Sequence, residues 1–553
     1  MKFRFKQVLF LFSCIALITA GLTGCFSPWT DTGNITINVG SGSQPAGRHF
    51  FITDEELSGF EHIITLRGPG GTITKTLNRG ETSVSINVMP GKWTVDVRAI
   101  GDRTEEFDEF NDFYNEQKTP LFPARMLRAL AIEQDVEVKA GATANVPLMM
   151  TKATSVESRP QLVYVLEQAY YYYGEEIILL NGNIEMSDGT NPSPIFIGFS
   201  SIEMELINNI TFMADKDVAI KRGAYNFDDL IKVSIYSTLT LGKPGMTGTI
   251  TIDGSKDKSE GEITYAYPLI RVEDGNLIIN NGIILTNNNS ENGGAVYLNA
   301  TEEYRTTFTM NGGYITNNEA YVNGGGVYAT GPVVFGMSGN AEISGNSANF
   351  AGAGVFITDG VQLEMNGGII RNNTITSTDS RGGGGVYVSG LYAGVRDSIN
   401  TKLHMEGTAV ISDNSVVRYG GGVYIESGGI LNVDGGTISN NSASDLDGCG
   451  GGVYVDDSGI FYMNGGVIKS NYAEFRGSGL YIKDGYFYKE GGGIIYGANE
   501  GGNTNLIGKE SNYNAICYEH ESDGIPEIIG RNRTVPANED LAIYTMNDTS
   551  WTD

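Results

Sequence analysis

Cysteine, histidine and basic residues are scarce in this sequence, and each shortage excludes a class of protein. Four cysteines and four histidines among 553 residues are too few for a disulfide framework and lack the spacing that zinc requires. Lysine and arginine total 37 against 65 aspartate and glutamate residues, a net charge of −28. This acidity argues against nucleic acid as a partner, and no metal or other cofactor is expected.

Long hydrophobic runs are missing as well. The one marked apolar run, residues 8–20, follows three basic residues and is too short to span a bilayer, which is typical of a signal peptide. The run leads to Leu22-Thr23-Gly24-Cys25, which resembles a bacterial lipobox. We expect residues 1–24 to be removed, Cys25 to carry lipid and residues 25–33 to form a tether. An ordinary secretory signal with a chance cysteine is the alternative.

Glycine is abundant, and it recurs at a fixed period. A glycine-rich phrase that ends in an apolar, an aromatic and an aliphatic residue begins at Gly293, Gly324, Gly352, Gly383, Gly420, Gly450 and Gly477. The phrase Ile-x-x-Asn places an asparagine at Asn318, Asn346, Asn373, Asn414, Asn441 and Asn471. The spacings are 28, 27, 41, 27 and 30 residues. A repeat of this length indicates a solenoid.

Each period contains three short segments in which apolar and polar residues alternate, and these segments predict strands with one buried face. Glycine and asparagine between the segments favour sharp corners. Three strands and three corners predict one coil of a parallel β-helix, with successive coils about 4.8 Å apart. The 41-residue spacing fits a coil with loops inserted near residues 374–381 and 390–401.

The glycine-rich phrase also predicts which side chains face the core. Aliphatic residues flank the aromatic residue and should fill the core, so that the aromatic ring should point outward. We expect one exposed aromatic stripe, a candidate surface for glycans or partner proteins, formed by Tyr297, Tyr328, Phe356, Tyr387, Tyr424, Tyr454 and Tyr481. The six asparagines named above are expected to form a buried ladder that is hydrogen-bonded from coil to coil.

These phrases resemble the repeats of polymorphic outer membrane proteins and related bacterial surface proteins. Over roughly residues 160–535 the pattern is also similar to right-handed parallel β-helix proteins of the pectin-lyase-like superfamily. The resemblance implies a right-handed solenoid, assigned to residues 161–535 with a tail at 536–553, and a surface location. It carries over no catalytic residue.

A different pattern precedes the repeats. Alternating segments separated by turns occupy residues 34–150 and predict an antiparallel β-sandwich, which resembles immunoglobulin-like or prealbumin-like modules. Residues 151–160 are expected to be a linker. Within the sandwich, residues 101–123 form an acidic insertion whose aromatic residues favour either a helix packed on the sandwich or a partner-contact loop. Residues 161–170 predict a helix that caps the β-helix core, or else its first strand.

Evidence for catalysis is weak in this sequence. The four histidines form no motif, and the coils from Leu277 onward are too regular to suggest a groove. Glu406 and Asp434 occupy equivalent positions about one coil apart and would hold calcium or act as a carboxylate pair. Because asparagine occupies the same position elsewhere, a turn role is favoured. A site, if present, is expected in the irregular residues 175–275 or in the two inserted loops.

The sequence therefore favours a monomeric, all-β, lipid-anchored protein of the bacterial envelope, at the outer membrane or cell surface. Its expected role is structural, adhesive or ligand-presenting, with glycans or with host or envelope proteins as partners. A carbohydrate-active or glycan-binding protein, of the polysaccharide lyase or glycosidase type, is the alternative. A spacer without a ligand is the third hypothesis. No segment after the coils resembles a translocating barrel, so an autotransporter is not expected.

Overall fold

The computed structural model of the protein describes residues 32–40, 52–104, 121–170, 174–186, 194–198, 208–223, 228–256, 267–390, 400–489, 491–496, 503–505, 516–519 and 529–530. Contacts divide the chain into two units: Met1–Pro45, Ile52–Asp102 and Leu127–Thr151 form one, and Ala46–Phe51, Arg103–Met126 and Lys152–Asp553 form the other. Each is described by itself. The predictions for the signal peptide, Cys25, the acidic stretch 105–120 and the tail after residue 535 lie outside the described residues.

The N-terminal unit is built from strands with one short helix. Its elements are β1 Gly33–Gly40, α1 Asp54–Ser58, β2 Glu61–Gly68, β3 Gly71–Leu77, β4 Ser83–Val88, β5 Gly91–Asp102, β6 Arg125–Val138 and β7 Thr143–Met149. Strand β2 pairs antiparallel with β3 and β5, and β1 pairs antiparallel with β4. In contrast to the all-antiparallel expectation, β1 pairs parallel with β7. Alternate side chains of these strands meet in one apolar core around Trp93, while the likeness to immunoglobulin or prealbumin modules stays a prediction.

The second unit is a parallel β-solenoid, as the period predicts, and it is of the right-handed type, as the resemblance implies. From Asn276–Ile279 onward each coil contributes a strand to four sheets, which we number in the order the chain visits them, and the described residues of the three earlier coils contribute to three. Sheet I contains Thr151–Val156, Gly174–Leu180, Asn208–Ala214, Thr238–Leu241, Asn276–Ile279, Thr306–Met310, Val333–Met337, Gln362–Met365, Lys402–Met405, Ile430–Val433, Ile460–Met463, Tyr486–Lys489 and Ile529–Gly530. Sheet II contains Ile184–Glu185, Val218–Lys221, Ile250–Asp253, Ile283–Thr286, Tyr314–Thr316, Glu342–Ser344, Ile369–Arg371, Val410–Ser412, Thr437–Ser439, Val467–Lys469 and Ile494–Ile495.

The other two sheets complete each coil. Sheet III contains Asn289–Asn292, Glu319–Asn323, Ser347–Ala348, Thr374–Ile375, Ser415–Val416, Ser442–Ala443, Tyr472–Ala473 and Thr504–Asn505. Sheet IV contains Ile195–Ile197, Ile231–Val233, Ile270–Glu273, Val296–Asn299, Val327–Thr330, Val355–Thr358, Val386–Ser389, Val423–Glu426, Val453–Val455, Leu480–Lys483 and Ile516–Glu519. The sequence predicted three strands a coil, so sheet III was missed. Its strands are mostly two residues long, too short for alternation to be visible.

Two segments precede the coils. One differs from its sequence prediction, and the other matches one of two alternatives. The expected linker is wrong at its start, because Thr151–Val156 is a strand that pairs parallel with Gly174–Leu180. Of the two alternatives for residues 161–170, the helix is the one found: α2, Arg159–Tyr170, packs its buried Leu162 and Val165 into the solenoid core. Among the described residues, neither helix is long and apolar enough to cross a membrane.

The coils are regular well before the clean repeats begin at Leu277. The early sheet IV strands Ile195–Ile197, Ile231–Val233 and Ile270–Glu273 pair in parallel register, although no glycine-rich phrase precedes them. A fully buried core of Ile, Leu, Val, Phe and Met side chains runs through these coils as through the later ones. Packing of alternate aliphatic residues therefore suffices to form a coil, and the glycine-rich phrase is an addition to it.

Each corner before a ladder asparagine needs a residue with left-handed backbone. The residue at this corner has a φ between 54° and 65° in six successive coils, at Asn317, Gly345, Asn372, Asp413, Asn440 and Ser470. Asparagine, aspartate and glycine tolerate this conformation best. The corner turns the chain by a fixed amount, so each following asparagine points to the same place.

Candidate functional site

The ladder asparagines form a buried column along the corner between sheets II and III. In a representative coil, the side-chain oxygen of Asn441 accepts hydrogen bonds from the backbone and side-chain nitrogens of Asn414, at 3.0 and 2.9 Å. Its Nδ2 donates to the carbonyl of Ile411 and to Oδ1 of Asn471, each at 3.0 Å. Asn288 and Asn503 continue the column beyond the six predicted residues. Every polar atom of an inner asparagine side chain is thus paired, which is how amides can be buried at low cost.

The aromatic residues of the glycine-rich phrase also form a column, on the outer side of sheet IV. Neighbouring rings have centroids 4.9–5.1 Å apart, and the flattest pair, Tyr387 and Tyr424, has an interplanar angle of 3°. The flanking valines, such as Val386 and Val388, lie in the solenoid core. The rings therefore point away from that core, as alternation requires.

The expectation that this column is an exposed stripe is wrong from Phe356 to Tyr481, and its first two members, Tyr297 and Tyr328, are half-buried. Tyr387 is 2% exposed, and Tyr424, Tyr454 and Tyr481 are each 3% exposed. The residues that lead into each glycine-rich phrase pack over the rings and form a second core with them, contributed by Ala351, Tyr419, Cys449 and Phe475. The faces of these rings are covered by their own neighbours and by this layer, so they are unavailable for stacking against a sugar.

The phenol groups of the column have carboxylate partners. The Tyr424 hydroxyl donates to Asp456 at 2.7 Å, and Arg381 bridges to both oxygens of Glu426 at 2.8 and 2.9 Å. Burial, reinforced by these carboxylates, raises the pKa of Tyr424 well above its usual range. Burial also raises the pKa of Tyr328 to about 12. The phenols of Tyr328 and Tyr424 are therefore neutral at physiological pH.

A cluster of ionisable groups lies on the outer face of sheet I. Glu364 and His404 stand opposite each other on adjacent strands, and Nδ1 of His404 lies 2.6 Å from Oε2 of Glu364. The other ring nitrogen, Nε2, lies 2.8 Å from Oδ2 of Asp434. His404 is 17% exposed, Glu364 34% and Asp434 42%. The imidazole is thus held between two carboxylates that come from the coils on either side.

Two further residues fix these carboxylates. Lys402 lies 3.5 Å from Oε1 of Glu364, and Asn464 donates to Oδ1 of Asp434 at 2.8 Å. Partial burial alone would raise the pKa of Asp434, but hydrogen bonds from Asn464 and His404 outweigh burial and lower it. Asp434 is therefore a carboxylate over most of the pH range.

Aromatic side chains continue this face toward the C-terminal coils. Tyr462 and Tyr488 are stacked, with ring centroids 5.0 Å apart, and Tyr486 is 44% exposed. Toward the N-terminal coils, Gly336 stands opposite Glu364 and leaves open space where a side chain would be. We call Glu364, His404, Asp434, Tyr462, Tyr486 and Tyr488 the sheet I face.

Sequence reasoning found only Asp434 among the residues of the sheet I face. The sequence favours a turn role for Asp434 over a calcium site or carboxylate pair with Glu406, and the structure directs the Asp434 carboxylate to His404 and Asn464. Among the described residues, no group of three His, Cys, Asp or Glu side chains is placed to hold a metal ion. His404 formed no motif in the sequence because its partners lie 40 and 30 residues away.

Comparison with known proteins gives no match to a protein-family model, a curated protein or a solved structure. The function is therefore argued from the chain's own residues. Two observations carry that argument: the unbroken coil-to-coil ladders, and the polar and aromatic sheet I face.

Proposed function

We propose that the protein is a lipid-anchored component of a bacterial envelope, at the outer membrane or cell surface, whose solenoid is a rigid scaffold that presents a binding face. The observation that supports this proposal best is the pairing of every coil with the next. Strands of sheet I pair in register from Asn208–Ala214 to Tyr486–Lys489. The buried asparagine column adds side-chain bonds to the backbone ladder. A scaffold of this kind holds surface residues at fixed spacing.

The anchor is tested at the predicted lipid-bearing cysteine. In cells labelled with a fatty acid, Cys25→Ser should lose the label and appear in the soluble fraction, because the thiol that carries lipid is gone. Cys449→Ser is the matched control, since Cys449 is buried beside the aromatic column. A Cys25→Ser protein that stays labelled and membrane-bound would contradict the anchor. Protease shaving of intact cells then separates the cell surface from an inward-facing location.

A second candidate function is glycan binding at the sheet I face. Tyr486 and the stacked Tyr462–Tyr488 pair offer aromatic surface, and Glu364 and Asp434 offer hydrogen-bond acceptors beside it. This arrangement replaces the buried aromatic column as the candidate for sugar contact, because aromatic rings with polar groups alongside suit a molecule that is apolar on one side and polar on its edges.

The glycan candidate is tested with a pair of exposed tyrosines. Tyr486→Ser should lose any binding that the parent shows on a glycan array. Tyr314→Ser should keep it, because Tyr314 is equally exposed, at 44%, but lies on sheet II. Equal loss in both variants, or retained binding in Tyr486→Ser, would rule out the sheet I face as the site.

A further inference from the structure

The two contacts of His404 can both be hydrogen bonds only if two protons are available to be donated. A neutral imidazole has one N–H donor and one acceptor nitrogen, whereas an ionised carboxylate only accepts. Both ring nitrogens lie within hydrogen-bond distance of a carboxylate oxygen, at 2.6 Å to Glu364 and 2.8 Å to Asp434. Two donated protons are needed to make both contacts attractive. They are supplied by an imidazolium ring, or by a neutral ring and one carboxylic acid.

Loss of one of these protons has a defined consequence. With a single proton left, one nitrogen lone pair would face carboxylate lone pairs at less than 3 Å, and that contact must open. Asp434 is the partner held from its other side, because Asn464 donates to it. Glu364 is held by Lys402 on the neighbouring position. The proton therefore maintains a side-chain hydrogen bond between separate coils, in addition to the backbone hydrogen bonds that pair their strands.

The surroundings leave few other groups to supply that proton. The charged group that faces His404 from the preceding strand is Glu364. The charged group on the same strand as His404 is Lys402. On the following strand Asn432 stands opposite, with Asp434 beyond it, and Tyr462 follows on the next strand. Lys402 is engaged with Glu364, and the amide of Asn432 has no titratable proton. The exchangeable proton belongs to the Glu364–His404–Asp434 group.

We propose that Glu364, His404 and Asp434 form a proton-dependent clasp on sheet I. It is closed across three coils when the group shares two protons, and one contact opens when a proton leaves to solvent. The clasp sits at the coil whose sheet IV and sheet I strands, Val386–Ser389 and Lys402–Met405, are separated by twelve residues of chain, against three residues in the coils before and after. It ties the strand that follows the longer insertion, Lys402–Met405, to its two neighbours in sheet I. This inference does not depend on lipid anchoring or on glycan binding.

The test counts protons on the histidine ring of the full-length protein. Nitrogen-15 shifts of labelled histidine distinguish protonated from unprotonated Nδ1 and Nε2, and His404→Gln assigns the signals. In Glu364→Gln the amide can donate to Nδ1, so a ring with one proton makes both contacts. We expect the doubly protonated ring to disappear at a lower pH in this variant than in the parent, because only the parent needs the second ring proton to keep both contacts.

A carboxylate on another sheet, Glu342, provides the control. Glu342→Gln removes a carboxylate that pairs with Arg371 on sheet II, and it should leave the His404 signals unchanged. As pH rises through the parent's transition, the parent should also lose its advantage in melting temperature over His404→Gln. If Glu364→Gln and the parent lose the second ring proton at the same pH, there is no clasp. If His404→Gln does not fold, substitution of the other three histidines assigns the His404 signals instead.

Discussion

Replacement of one ladder asparagine by alanine has consequences that can be worked out bond by bond. In Asn441→Ala, the backbone N–H and one side-chain N–H of Asn414 lose their acceptor, at present 3.0 and 2.9 Å away. Both donors are buried, since Asn414 is 0% exposed. Each stranded donor costs about 1–3 kcal/mol, so the unfolding free energy of this part of the solenoid should fall by about 2–6 kcal/mol.

Hydrogen–deuterium exchange measures this loss where it occurs. A loss of about 2 kcal/mol is roughly a thirtyfold change in an equilibrium, so the amide of Asn414 should exchange at least about thirty times faster. Asn340→Ala is the control, because Asn340 lies exposed in a turn and outside the column. Unchanged exchange at Asn414, together with an unchanged denaturation midpoint, would show that the column does not stabilise the coils.

Three further predictions concern other parts of the molecule. Tyr424→Ser should lower the unfolding free energy by about 3–5 kcal/mol, as for other large-to-small changes in a core, whereas the exposed Tyr486→Ser should have little effect in the same denaturation series. Burial lowers the pKa of His62 below its ordinary value of 6.5, so the unfolded chain binds a proton that the folded unit resists. Stability of the N-terminal unit should therefore decline as pH falls below about 6.5, and His62→Leu should abolish this part of the pH dependence in thermal unfolding. Asn372→Val should cost about 1–2 kcal/mol because its φ is 54°, and Asn372→Gly, which bears no such strain, should not.

The solenoid could be predicted because its information is local and repeated. The spacing of successive ladder asparagines from Asn318 to Asn471 gives the coil length, and each asparagine indicates a buried corner. The alternation around Val386 and Val388 correctly placed both in the core. These features depend only on the chain and on a neighbouring coil of nearly the same sequence, so one period was enough to infer them.

The burial of the aromatic column could not be predicted in the same way. Alternation states which side of a strand a ring is on, but not whether another segment covers that side. The covering residues, such as Tyr419 and Cys449, share no motif and lie in corners that vary from coil to coil. The contacts of His404 were hidden for a related reason. They require the register across the 41-residue coil, which the sequence leaves undetermined because the insertions can be placed in several ways.

The enlarged coil shows how this architecture can change over evolutionary time. Although twelve residues of chain separate Val386–Ser389 from Lys402–Met405, the second of these strands pairs with its neighbours in ordinary register, Leu363 with Leu403 and Leu403 with Leu431. A corner can therefore lengthen without any compensating change in the core. Mutations that insert residues at such corners would be tolerated, and selection could diversify them while the coils stay constant. The same position is where a foreign peptide could be grafted for display.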